Sequence, residues 1–464
     1  MRIAWFTPLP PTRSGISAYS AEPLPRLASH HAIEIYVDDR PVEPGGSRPS
    51  PVPPAGSRVL PAHDFVWRHA RRGYDLIVYQ LGNATCHDYM WPYLHRYPGL
   101  LVLHDGQLHH SRARRLLQLG QQDHYRAEFA FDHPDTKPEV AEFAIAGFAG
   151  ASYYFWPMLG TAVTRARVVA VHNRHLAEDL RTSHPRTPVE PITMGVPPPV
   201  DASGARPSPD AARVAVARRH GIPPAAPLLV AFGLVTPEKR IPQAIAALRA
   251  LRATIPDLHL LLVGRTVAHF DVRQEAERAG VADRVVVAGF VEEDGVAEYL
   301  AAADVCLCLR WPTSRETSAS WLRCLAGGKP TIVTDLADAI DVPTLDPRTW
   351  QVHHASTEPP GQGSTPRPVA VAVDLVDEGH SLRLAVARLV AEPSLREQLG
   401  LDALAFWRRH HTLERMVADY ERLLPAAARS RMPEPGDVPA HLRSDGTTLA
   451  RSLLAELGVF DDFL

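Results

Sequence analysis

Cysteine is scarce: the chain has four in 464 residues, Cys86, Cys306, Cys308 and Cys324. No two stand in a CxxC spacing or a zinc-like series, which argues against a metal site, and so sparse a use of thiols fits a reducing, cytoplasmic compartment. Cys306 and Cys308 alternate along the apolar run Val305–Leu309 and read as core thiols on one face of a strand. Charge of one sign is also lacking. Lys+Arg number 49 against 52 Asp+Glu, a formal net charge of −3, so no whole-chain field favours nucleic acid or an anionic membrane. No segment approaches the roughly 18 apolar residues that span a bilayer, so any membrane contact is expected to be peripheral, at the inner face. The opening MRIAWFTPLPP has one arginine and a short apolar run broken by proline. It is too short for a signal peptide and reads as a first strand.

What is present is an alternation of short Val/Ile/Leu runs with longer helical stretches, the pattern of parallel sheets built from βαβ units. Strands are predicted near Ile3–Thr7, Ile33–Val37, Leu76–Tyr79, Leu100–Leu103 and Val168–Val171. The segment Thr187–Asp210, rich in proline, serine and glycine, reads as an extended linker. Beyond it strands are predicted near Leu228–Phe232, Leu258–Val263, Arg284–Val287, Val305–Leu309, Thr331–Val333 and Val369–Val373. Arg40–Pro61 and Ala355–Pro368 read as surface loops, and the tail as irregular up to a short helix near Thr448–Leu457. The expected division is an N-terminal domain over 1–195, a linker over 196–212, a second domain over 213–411 and a tail over 427–464. Ligands of open parallel sheets bind beyond the carboxyl ends of the strands.

The most informative segment is RWPTSRETSASWLRCLAGGKPTIVTD, Arg310–Asp335. It follows a strand, turns through Pro312 and is predicted to enter a helix near Glu316, with Thr317 and Ser318 in the first turn. Backbone N–H groups there favour an anion such as a diphosphate. Taken alone, Glu316 reads more readily as a helix cap than as an acceptor of hydrogen bonds from sugar hydroxyls.

From Leu229 to about Leu424 the chain resembles the donor-binding half of glycosyltransferase family 4, which has the GT-B fold. The text that carries the resemblance is FGLVTPEKRIPQAI (Phe232–Ile245), LLLVGR (Leu260–Arg265), RVVVAGFVEED (Arg284–Asp294), YLAAADVCLCLR (Tyr299–Arg310) and PTSRETSASWLRCLAGGKPTIVTD (Pro312–Asp335), in that order. The resemblance implies an α/β architecture of two Rossmann-like, doubly wound domains facing a central cleft. The helix near 412–426 is then expected to return to the first domain. It also implies a nucleotide-sugar donor such as a GDP- or UDP-hexose, a saccharide, lipid-linked or small-molecule acceptor, retention of configuration, and no cofactor or metal. Lys239 matches the basic residue that holds the donor diphosphate, Gly233 the close-approach glycine, and Arg240 stands beside them; Glu316, Thr317 and Ser318 complete the donor set. In the first half TPLPPTRSGISAYS (Thr7–Ser20) matches a glycine-containing loop through Ser14 and Gly15. QLGNATCHDYMWPYLHRYPGLLVLHDGQLHH (Gln80–His110) resembles the acceptor half, with His104 and Asp105 at a strand end beside the transferring sugar. Asn83 and His172 are expected on the acceptor side. His109 and His110 read as the start of a surface helix, and no ligand spacing gives the histidine cluster a metal role.

Two departures stand out. Leu234 occupies a position where many relatives carry arginine, and the second glutamate of the family is absent, its place falling at Arg323 and Cys324. They keep open a catalytically silent sugar-nucleotide-binding protein; an epimerase or a phosphorylase on the same fold are further alternatives. Pro23 and Pro25 are expected to delay or distort the helix that follows the first loop.

Overall fold

The computed structural model describes residues 1–38, 51–148, 150–336, 342–353, 367–434, 438–443 and 447–459. Two compact units emerge: Met1–Ile192 with Ser314–Glu316 and Val417–Leu464, and Thr193–Thr313 with Thr317–Met416.

The first unit is a seven-stranded parallel sheet in the order β3-β2-β1-β4-β5-β6-β7. Its strands are β1 (Arg2–Phe6), β2 (Ala32–Val37), β3 (Arg58–Pro61), β4 (Leu76–Leu81), β5 (Leu100–Leu103), β6 (Val168–Val171) and β7 (Val189–Pro191). The second unit repeats the scheme as β10-β9-β8-β11-β12-β14-β13. Here the strands are β8 (Leu228–Phe232), β9 (His259–Val263), β10 (Val285–Gly289), β11 (Val305–Cys308), β12 (Thr331–Thr334), β13 (Thr344–Leu345) and β14 (Ala370–Val373). Every residue of β4, β5, β6, β8, β9, β12 and β14 is buried, which is why these strands read as largely apolar runs: helices cover both faces. Aromatics fill one side of the first sheet, Phe6 lying 5.2 Å from the Tyr36 ring and 5.0 Å from that of Tyr79. The second core is aliphatic, around Leu229, Leu260, Leu307, Ile332 and Val371.

All eleven predicted strands are present, with ends shifted by a residue or two. Three more escaped prediction. β3 lies in the stretch expected to be loop, β7 in the stretch expected to be linker, and β13 has two residues. All are short and lie toward the margins of their sheets, where little burial is needed and proline is tolerated. Of the two predicted loops, residues 40–50 and 355–366 lie outside the described residues. From Thr193 to Ser208 no helix or strand forms; the helix Pro209–His220 then begins on a proline at its first position. The helix after the first loop is not delayed, starting at Gly15 ahead of both prolines, but it is distorted: it breaks at Pro23 into Gly15–Ala21 and Leu24–Leu27. His109 opens the helix His109–Gln118 but corrects the surface reading: it is buried, its Nε2 bonded to Tyr125 Oη at 2.7 Å.

Candidate functional site

Strand order reverses in the second unit between β8 and β11, both flanked by strands running outward. At such a switch point the loops leaving the two central strands diverge and open a crevice. Those loops carry Gly233–Lys239 and Arg310–Ser318. Gly233 has φ +88°, a conformation glycine adopts without strain, and a Cβ there would lie 2.6 Å from Lys239 Nζ. The Lys239 ammonium donates to the Phe232 carbonyl at the end of β8. Lys239 closes a short 3-10 turn, Pro237–Lys239, and within it the Glu238 carbonyl accepts from Trp311 N–H at 2.7 Å, tying the two loops together. Burial, reinforced by the Arg310 guanidinium, pulls the Lys239 pKa down to about 7. A desolvated ammonium whose strongest charged neighbour is another cation is set to gain from an anion.

The helix after β11 begins later than predicted. It spans Ala319–Ala326, and Ser318 is its N-cap, its hydroxyl accepting from Trp321 N–H at 3.3 Å. Ser318 has extended backbone (φ −84°, ψ 103°), which fixes the helix start behind it. Glu316 and Thr317 therefore precede the helix instead of forming its first turn, and Glu316 is not the cap. Ser320 Oγ lies 3.4 Å from the point where a Gly233 Cβ would sit, so the helix start, the glycine turn and the lysine converge. Arg240 is engaged elsewhere: it pairs with the buried Glu378, Nε to Oε1 at 2.8 Å. Cys324 is wholly buried with its Sγ 3.9 Å from that of the half-buried Cys308, placing it in the core rather than at a ligand.

In the first unit the reversal falls between β1 and β4. Ser14 follows β1 and caps the helix Gly15–Ala21, its hydroxyl accepting from Ile16 N–H at 3.3 Å; nothing lies within 4 Å of a Cβ built on Gly15. After β4, Gly82 allows a close approach: its Cβ would fall 2.3 Å from Ile16 Cδ1 and 3.1 Å from Asp105 Oδ2. Asn83 braces this region. Its backbone N–H donates to Asp105 Oδ2 (2.7 Å), its Nδ2 to Gln107 Oε1 (2.9 Å), and its Oδ1 accepts from Ser111 N–H (2.9 Å). His104 follows β5 and is buried, its Nε2 2.8 Å from Gln80 Oε1. Its ring centroid is 4.5 Å from Tyr19 and 5.1 Å from His172. Burial first, then the nearby His172 and His87 rings, hold its pKa well below the usual imidazole value. His172, after β6, bonds through Nδ1 to the Ile192 carbonyl at 3.4 Å, and burial lowers it to about 4. Ser314–Glu316 group with this unit: Gly106 N–H donates to the Ser314 carbonyl (2.6 Å) and Asn173 Nδ2 to that of Arg315 (3.1 Å).

Sequence reasoning missed Gln80, Tyr19 and Tyr420. The signal for Gln80 is its place as the one amide in the apolar run LIVYQL. Among the described residues no three His, Cys, Asp or Glu side chains are grouped to hold a metal ion, and no helix is long and apolar enough to cross a membrane.

The glycine, lysine and capped helix lie within a stretch that comparison identifies. Residues 226–346 match the family model for Glycosyl transferases group 1. No curated protein sequence matches the chain. Among solved structures, sucrose-phosphate synthase from Thermosynechococcus elongatus superposes with TM-score 0.59 at 16% identity, covering 92% of this chain and 98% of that one. HepE of Anabaena, in complex with UDP, gives 0.59 at 12%, covering 92% and 100%. WaaG, a glycosyltransferase involved in lipopolysaccharide biosynthesis, gives 0.59 at 13%, covering 92% and 99%. At these identities the likeness is one of fold, and the fold is GT-B. The group 1 domain contains every donor-side residue named from the sequence except Ser14 and Gly15.

Proposed function

We propose that this chain is a glycosyltransferase that moves a hexosyl unit from a nucleotide sugar to a hydroxyl acceptor with retention of configuration and without metal. The bond from the anomeric carbon to the diphosphate oxygen breaks, a bond from that carbon to the acceptor oxygen forms, the acceptor hydroxyl's proton passes to the departing diphosphate oxygen, and a nucleoside diphosphate leaves. Lys239 and the N–H groups around Ser318 hold the diphosphate and stabilise its growing charge. Glu316 accepts from sugar hydroxyls, His104 and Asp105 contact the transferring sugar, Ser14 and Gly15 face the diphosphate, and His172 lies on the acceptor side. The observation that carries the reading is the desolvated Lys239 ammonium, set between a glycine turn and a capped helix start at the switch point of the group 1 domain. HepE has been captured with UDP and with UDP-glucose, which makes uridine donors the first to try and guanosine donors the second. A saccharide, lipid-linked or small-molecule acceptor reached from the cytoplasm, with at most peripheral membrane contact, fits the composition.

The test is thermal unfolding with a panel of nucleoside diphosphates and nucleotide sugars, since a ligand of the native state raises the midpoint by mass action. One base should be preferred, and Lys239→Ala and Glu316→Ala should blunt the response; an undiminished response in both variants rejects the site. Leu234 and the Arg323–Cys324 pair favour a second reading, a silent sugar-nucleotide-binding protein. It requires saturable binding with neither transfer nor hydrolysis across many acceptors.

A further inference from the structure

Gln80 is wholly buried in the middle of the first sheet, on a strand whose other residues are apolar. A buried primary amide costs free energy unless both its ends are bonded. Here both are: Oε1 meets His104 Nε2 at 2.8 Å, and Nε2 donates to Tyr420 Oη at 3.1 Å. Tyr420 Oη in turn lies 2.7 Å from Tyr19 Oη. Tyr19, Tyr420 and the amide are buried, as is the imidazole at the end of the chain. The four groups come from four parts of the sequence: the helix after β1, β4, the end of β5, and the helix Leu413–Arg429. Packing alone would have been met by leucine at position 80. What glutamine adds is direction, because an amide oxygen can only accept and an amide nitrogen can only donate.

We propose that Gln80, held by Tyr420, is a positioning residue that fixes His104 as the Nε2–H tautomer, leaving Nδ1 as an acceptor for a sugar hydroxyl. The tautomer follows from the oxygen of Gln80 facing Nε2. A neutral ring in this tautomer accepts at Nδ1 and cannot donate there, which narrows the part His104 plays: it takes a hydrogen bond from the substrate rather than giving one. The rings of Tyr19 and His172 pack against it and His87 lies near, with the Asp105 carboxylate next in the chain bonded to Asn83 N–H; burial keeps the imidazole neutral, and its orientation is left to the amide. The functional half of this inference rests on the transferase reading; the tautomer does not.

The experiment uses the full chain with its histidines labelled with nitrogen-15, in wild type, Gln80→Met, Gln80→Glu and Tyr420→Phe. Long-range proton–nitrogen spectra report which His104 nitrogen carries the proton, with no substrate required. Wild type should show the Nε2–H form. Gln80→Met should lose it to a mixture, and Tyr420→Phe should shift it part of the way. Gln80→Glu keeps an oxygen facing Nε2, so it should retain the tautomer while moving the pH profile of turnover upward, since a carboxylate favours the imidazolium. Turnover in Gln80→Met should fall roughly 10- to 100-fold in kcat with donor KM little changed. A merely structural glutamine would lower stability and leave the tautomer in place. If His104 keeps one tautomer in Gln80→Met, or is the Nδ1–H form in wild type, the proposal is overturned. A tautomer that shifts in a protein turning over no nucleotide sugar upholds the positioning and sinks the transferase reading instead.

Discussion

Lys239 and its neighbour Arg240 are adjacent cations with different work. Lys239 has its pKa drawn down to about 7 by burial and by Arg310, so near neutrality it is only partly charged. A diphosphate bound beside it would raise that pKa, and binding must then take up a proton. Affinity should be greatest below pH 7 and fall by up to tenfold per pH unit above it. Titration calorimetry in buffers of different ionisation enthalpy measures the uptake, and Lys239→Met should remove both uptake and slope. A flat affinity between pH 7 and 9 in wild type would place the diphosphate elsewhere. Arg240 instead pairs with Glu378, whose side chain is 6% exposed. Arg240→Met leaves that carboxylate buried and unpaired, at a cost of roughly 3 kcal/mol. Denaturant unfolding should show that loss, while the rise in midpoint given by nucleoside diphosphate persists. In the sequence the two differ by one position and looked alike; the pairing depends on Glu378, 138 residues away, and no local pattern reveals it. Lys239, by contrast, was singled out by resemblance, and its place against the Gly233 turn is local, the two standing within seven residues of one another. Gln80 went unread because the strand was predicted to stop at Tyr79, one residue short of it, and its partners Tyr19 and Tyr420 lie in distant segments that only the fold joins.

At the scale of elements, the proposed reading seats the diphosphate at the start of the helix Ala319–Ala326. The sequence located this helix to within a few residues, because PTSRETSAS contains several residues able to cap. Which one does so depends on backbone direction: Arg315 turns through φ +59°, and Ser318 is extended, its hydroxyl closing on Trp321 N–H. Two substitutions separate capping from anion binding. Ser318→Ala removes the cap and should cost about 1 kcal/mol. Ser318→Asp keeps a capping oxygen and adds a negative charge favourable to the helix dipole, so stability should be held or raised. That same charge would face an incoming diphosphate, and nucleoside diphosphate affinity should drop at least about tenfold through like-charge repulsion. Equal affinity in Ser318→Asp and wild type, by calorimetry, would separate the helix start from the donor. The strands show the same division between what is local and what is not. Long buried runs such as LLVAF and HLLLV declare themselves, whereas β3, β7 and β13 owe their pairing to a neighbour already in place.

Across the whole molecule, buried imidazoles are unevenly shared. The first unit holds His87, His133 and His172, lowered to about 4, and His95 and His109, lowered to about 3, burial being the leading cause in each. The second unit has His411, lowered to about 4. An unfolded imidazole takes its proton near pH 6.5. Between that value and about 4 the unfolded state therefore binds more protons than the folded one, and stability is lost as pH falls. Each such histidine contributes about 1.4 kcal/mol for every pH unit below 6.5 while it stays neutral. Asp132 works the other way: burial raises it to about 7, so its contribution grows as pH falls toward the usual carboxylate range and offsets one histidine. On this balance the first unit should be the more acid-labile of the two. Hydrogen exchange at pH 7.5 and pH 5.5, corrected for intrinsic rates, should show protection falling first along β4, β5 and β6 while β8, β9 and β11 keep theirs. Undiminished protection in the first sheet at pH 5.5 would mean that these imidazoles take up protons without unfolding. Such uptake would require water or a rearranged partner to reach His104 and Gln80, and the buried network that orients the candidate site would then be far less rigid than its hydrogen bonds imply.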